Sequence, residues 1–234
     1  MKTSSGNFSL LAVMFMFCFF SGCEREDEIP SEIKTETVTD IDGNVYRTVK
    51  IGSQLWMAEN LKTTRYRNGD TIKTTENVFL DLSRESRPTY QWIYRGDSTN
   101  VEKYGRLYTW FAVKDTCKLC PEGWHVPDNS EWAVLIDSLG GLSEAGGRLK
   151  EEGIDFWLSP NTNATDESEF SARPGGYREY RGTYQLIKFG GYWWSSTEKL
   201  SQTALGYQLY YSYKQIKPVE MIKRNGLAVR CVKD

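Results

Sequence analysis

The chain has 234 residues, with 29 Lys and Arg against 31 Asp and Glu and a formal net charge of −2. That length accommodates one domain with a sizeable core behind a leader, and a near-neutral chain without a basic stripe argues against nucleic acid as a partner. The 8 Trp and 14 Tyr suit either a packed core or a contact surface for sugars or proteins.

Lys2 opens the chain, an apolar stretch runs from Phe8 to Phe20, and the small residues Ser21 and Gly22 precede Cys23. This is the order of a secretory signal peptide, and the stretch is shorter than the roughly 20 apolar residues of a membrane span. Phe20-Ser21-Gly22-Cys23 resembles the lipobox of bacterial lipoproteins, with Phe20 where Leu is usual. The resemblance implies removal of residues 1–22, a diacylglycerol on the Cys23 sulfur and an acylated, palmitate-type amine. Two or more chains anchor stably, because each buried methylene contributes about 0.8 kcal/mol. Without Lys2 the formal charge becomes −3. Residues 23–36 read as a charged, flexible tether. Its cluster Glu24, Glu26, Asp27 and Glu28 is either an ordinary solvated linker or similar to the acidic signal that sends some lipoproteins to the outer leaflet. The expected location is the outer membrane, lipid-anchored, at the cell surface.

The domain is expected over 37–234. Two β runs, Thr37–Asp40 and Val45–Ile51, flank Asp42-Gly43-Asn44 and read as a hairpin, and Gly52-Ser53 turns into Gln54–Met57. Residues 59–103 are polar and irregular. Tyr104–Trp110 is an aromatic-rich strand or short helix. The clearest helix is 129–139: Asp128 caps it with Glu131 three residues later, and Trp132, Leu135, Ile136 and Leu139 make one apolar face. Pro127 bars helix before it and Gly140-Gly141 ends it. A second helix is expected over 143–151, weakened by Gly146-Gly147. Loop follows from 153, then aromatic strands at 191–197, 204–213 and 227–232. The element order is α+β.

Cys18 leaves with the leader and Cys23 takes lipid, so Cys117, Cys120 and Cys231 remain. In an oxidising compartment two should pair. Cys120–Cys231 is the expected bridge, closing a loop of roughly 110 residues worth about 4–5 kcal/mol in the chain-entropy model. The alternatives are a local Cys117–Cys120 bridge and a zinc site of Cys117, Cys120, His125 and Cys231.

Several ordered blocks carry a family resemblance: Ile51–Thr63, Tyr104–Trp110, Cys120–Pro127, Glu131-Trp132, Ala145–Lys150, Phe170–Arg178, Tyr192–Thr197 and Gly226–Asp234. Together they resemble the Fibrobacter succinogenes major paralogous domain, with Cys117 an extra cysteine. The resemblance implies a C-type lectin-like fold, similar to that of the formylglycine-generating enzymes, with both termini in one small sheet. It implies no activity.

No Glu-Pro-Asn, Gln-Pro-Asp or Trp-Asn-Asp triplet of calcium-dependent lectins occurs. The polar loop with Asn163, Asp166 and Glu169 is a weaker calcium candidate. Trp157, Tyr177, Trp193 and Trp194, with Tyr180 and Tyr184, are candidates for a sugar platform, core packing being the competing fate. On a strand, Trp193 and Trp194 point to opposite faces, so at most one is expected in the core. The expected function is a non-catalytic surface binding or adhesion module for glycan or protein, with no catalytic set, metal or cofactor. The rivals are a structural component of a surface assembly and an enzyme using Cys117 and His125.

Overall fold

The computed structural model describes residues 1–2 and 36–234. The leader, the lipid attachment at Cys23 and all of the 23–36 tether but its last residue lie outside the described residues. The fold belongs to the unit Thr35–Asp234.

In chain order the strands are β1 (Thr37–Thr39), β2 (Val45–Ile51), β3 (Gln54–Met57), β4 (Gln91–Trp92), β5 (Leu107–Thr109), β6 (Trp124–His125), β7 (Tyr177–Arg178), β8 (Tyr184–Gln185), β9 (Gly190–Leu200), β10 (Thr203–Tyr210), β11 (Ile216–Ile222), β12 (Gly226–Leu227) and β13 (Val232–Lys233). The helices are α1 (Asn100–Tyr104), α2 (Trp110–Val113), α3 (Asn129–Ser138) and α4 (Ala145–Leu149). The described residues are thus mostly β with a few short helices, broadly α+β.

Three sheets form, ordered β1-β2-β3-β13-β6, β11-β10-β9 and β4-β5-β12-β7-β8. The first begins with the expected hairpin. Asp40 closes its turn, accepting from the backbone N–H of Asp42 and Asn44 and, at 2.6 Å, from the Tyr46 hydroxyl. The last strand, β13, then inserts between β3 and β6, with Val232 paired to Trp56 on one side and His125 on the other. Cys120–Cys231 is bonded, with Cα atoms 6.1 Å apart, and pins the loop before β6 to the approach of β13. Cys117 is free. That bond removes both the Cys117–Cys120 bridge and the zinc alternative, since two of the four zinc ligands are joined to each other.

Period-2 alternation sorts the core into two large clusters. Met57, Trp194, Leu227 and Val229 pack with Tyr46, Tyr108 and Trp110. Their sequence neighbours Trp56, Trp193 and Ala228 pack on the opposite side with Trp132, Leu135, Phe170 and Tyr207. Trp193 and Trp194 are therefore both buried. The expectation that one would leave the core fails because β9 is covered on both faces.

Helix α3 forms as its pattern predicts, with a complete capping box between Asp128 and Glu131. The second helix contracts to α4. A Cβ on Gly146 would come within 2.5 Å of the Gln215 backbone, and one on Gly147 within 2.4 Å of the Asn163 carbonyl, so both glycines serve close approach. Just beyond α4, Lys150 is buried. Its ammonium donates to the carbonyls of Thr162 and Tyr213, both at 2.9 Å, and more distantly to that of Tyr210. Strand β11, which is not among the expected strands, contains Pro218 opposite Tyr207. Proline lacks a ladder donor and is tolerated there because β11 is an edge.

Candidate functional site: a cation-rimmed cleft

The segment leaving β3 places Asn60 at the centre of a buried hydrogen-bond hub. Its Oδ1 accepts from Trp193 Nε1 at 2.7 Å and from Arg230 Nε at 2.9 Å, and its Nδ2 donates to the Tyr104 carbonyl at 2.8 Å. Gly105, with φ of +71°, follows α1; a Cβ there would lie 2.6 Å from Asn60 Cβ. Only glycine lets this turn close onto the hub.

Arg230 sits 1% exposed beneath the cleft. Besides Asn60, its guanidinium donates to the carbonyls of Phe170 and of Ser171 and lies 3.9 Å over the Phe170 ring. Among the described residues no carboxylate is within ion-pair distance of it. Burial lowers its pKa to about 9, which still leaves it charged at neutral pH.

Above this floor opens a cleft of about 350 Å³, walled by β2, the 58–62 segment, α1 and the 171–173 segment. Its rim carries ion pairs. Arg47 meets Glu59 at 2.8 Å and Lys62 meets Glu102 at 2.9 Å. Arg173 is forked onto Glu151, which lies outside the lining, and stacks 3.9 Å over Phe156. Counting Lys103, five cationic side chains line the cleft against the two acids Glu59 and Glu102. Both acids are engaged by cations, which leaves Lys103 and Arg230 as the lining cations without an ion pair among the described residues.

The aromatic residues singled out from the sequence do not form a platform. Trp157, Trp193 and Trp194 are buried, their indole N–H groups donating to the Ala172 carbonyl, Asn60 and the Tyr108 carbonyl. Tyr177 is half-buried against Tyr192, and Tyr184 is buried. Trp193, Trp194 and Tyr184 pack into the core because the sheets they stand on are covered, and Trp157 does so from the loop after α4.

His125 is held between two carboxylates. Nδ1 lies 2.6 Å from Asp234 Oδ1 and Nε2 lies 2.7 Å from Glu131 Oε1. Burial pulls its pKa down, but the hydrogen bonds to Asp234 and Glu131 outweigh burial and the net shift is upward. Both ring nitrogens are committed, so His125 has none left to activate Cys117. The Cys117 thiol instead accepts from Asn68 Nδ2 at 3.3 Å, and its pKa is raised, by burial first and then by Asp115. A nucleophile needs the opposite shift. In the calcium candidate loop, Asp166 turns both oxygens onto Ser171, and among the described residues no cluster of three or more His, Cys, Asp or Glu side chains is set to hold a metal.

Asn60, Arg173 and Arg230 were visible within the blocks of family resemblance but carried no chemical signature of their own. Arg47 lies before those blocks. Only the fold brings the four together.

A small, mostly β domain with a rigid-floored, cation-rimmed cleft is the class these features define. The family model described as the Fibrobacter succinogenes major domain matches residues 49–233, and the chain belongs to that family. No curated protein and no solved structure matches it. The matched span includes the cleft segments 58–62, 101–105 and 171–173 and Arg230.

Proposed function

We propose that this chain is a non-catalytic envelope lipoprotein, anchored through Cys23 in the outer membrane, whose domain binds glycan at the cell surface. The cleft above the Asn60–Arg230 hub carries the reading: it is concave, polar and held from beneath by buried hydrogen bonds. A preformed site of a few hundred Å³ with convergent polar groups is what a small-ligand site requires. Its acids are bound in ion pairs, and the only histidine is locked between Asp234 and Glu131. The scaffold is read as C-type lectin-like, supported by first and last strands sharing one sheet and by Cys120–Cys231, which ties the loop before β6 to the approach of β13.

The test is a broad glycan array, with and without calcium, probed with the exported chain carrying Cys23→Ser. Specific binding that Arg47→Gln weakens supports the reading. A well-folded sample that binds no glycan sinks it. In cells, palmitate labelling should be lost in Cys23→Ser, and labelling that persists would refute the anchor.

A further inference from the structure

We propose that the ligand of the cleft is an acidic sugar, with its oxyanion seated between Arg47 and Lys62 above the Arg230 charge. This rests on the binding-module reading and adds the ligand class.

The charge balance is the first argument. Five cations against the two lining acids and Glu151, which holds Arg173, leave the cleft positive by two, although the chain as a whole carries −2. The excess is local, and a concave, low-dielectric wall concentrates its field.

The floor is the second argument. Buried charges are ordinarily paired, yet Arg230 reaches only carbonyl oxygens and Asn60. It lines the cleft, Glu59 and Asp166 are near enough to favour its charge without pairing to it, and an anion bound there would supply a closer counter-charge.

The rim is the third. Glu102 is 77% exposed, so its bond to Lys62 is a weak surface pair that a ligand oxyanion can replace. Arg47 is half exposed, and its planar fork suits a two-oxygen group.

The lining also separates sugar from peptide. Its apolar members are Val45, Ala58, Val101 and Tyr104. These form no deep slot for the aromatic or aliphatic anchor on which peptide recognition depends. A polyhydroxylated acid, by contrast, can hydrogen-bond along the charged walls.

Titration calorimetry on the exported Cys23→Ser chain, using a short oligogalacturonate, its methyl-esterified form and a sulfated oligosaccharide, tests this. The expected result is binding of the uronate or the sulfated oligomer, weakened by added salt, and roughly tenfold weaker or absent binding of the ester. The stronger of the two acidic arms identifies the oxyanion. Arg47→Gln with Lys62→Gln should cost at least roughly tenfold in affinity with the melting temperature unchanged. Equal binding of the ester overturns the acidic-sugar inference while leaving the glycan-module reading standing. Failure of both acidic oligomers to bind overturns the inference, and the array then decides whether the wider reading fails with it.

Discussion

Among the described residues three cations, Arg178, Arg230 and Lys150, lie buried without an ion-paired carboxylate, and the last two are used differently. Arg230 closes the floor of the cleft and Lys150 closes the turn after β10. Both are satisfied by neutral oxygens: Asn60 Oδ1 with the Phe170 and Ser171 carbonyls for the arginine, and the Thr162, Tyr210 and Tyr213 carbonyls for the lysine. The guanidinium is a rigid fork that fixes directions; the ammonium is a point charge whose donors rotate. Burial brings Arg230 to about 9 and Lys150 to about 8. Arg230 is thus a permanent charge at physiological pH, while Lys150 stands near the edge of titration. A buried arginine can serve as part of a recognition surface, whereas a lysine so placed is a brace whose hold depends on pH.

The largest effect expected in this comparison falls beside Arg230, at its covalently tied neighbour. Cys231→Ser opens a crosslink spanning 111 residues and should cost about 4–5 kcal/mol in urea unfolding. Arg230→Met comes next, at about 3 kcal/mol, because it strands the Phe170 and Ser171 carbonyls and takes one of two donors from Asn60 Oδ1. Lys150→Met should cost less, about 1–2 kcal/mol, since the Tyr210 carbonyl keeps the Tyr213 N–H and no side-chain acceptor loses a donor. The reverse order of these two would break the contrast between fork and brace.

The pH dependence sharpens it. Lys150 has a folded pKa below its unfolded value of 10.5, so between about 8 and 10.5 the unfolded chain binds more protons and stability rises with pH. Urea midpoints should therefore climb from pH 8 to 9.5 in the wild type and climb less in Lys150→Met. Equal slopes would show that Lys150 does not titrate there. The smallest effect belongs to His125. Its folded pKa is raised, so its contribution is fully present below its unfolded value near 6.5 and is lost as pH rises through the folded pKa. His125→Gln should flatten the stability profile on that alkaline side; an unchanged profile would remove His125 from the account.

The sequence made some of this legible. The hairpin around Asp42-Gly43-Asn44, the capped helix α3 and the Cys120–Cys231 pair follow from turn chemistry, capping and redox arithmetic, which are local or countable signals. The cleft was not legible, because Arg47, Asn60, Arg173 and Arg230 are far apart in the chain and none is unusual where it stands. The aromatic platform failed for a related reason. Residue type marks Trp157 or Trp193 as large and amphipathic, but whether its face is covered depends on what crosses over it. Pro218 similarly hid β11, since an edge position that tolerates proline is a property of the sheet rather than of the segment.

The adjacent indoles of Trp193 and Trp194 carry one last consequence. They divide between two separate cores, so β9 is a partition whose two sides are both occupied. Sliding it by one residue would exchange the contents of both compartments at once. This ribbon therefore cannot drift to suit a new ligand, and the bulges near Ala204 lie towards its far end. Diversity among proteins built on this plan should collect in the 59–103 and 153–176 connections, whose ends supply walls of the cleft, so that specificity can change while the partition between the two cores stays in place.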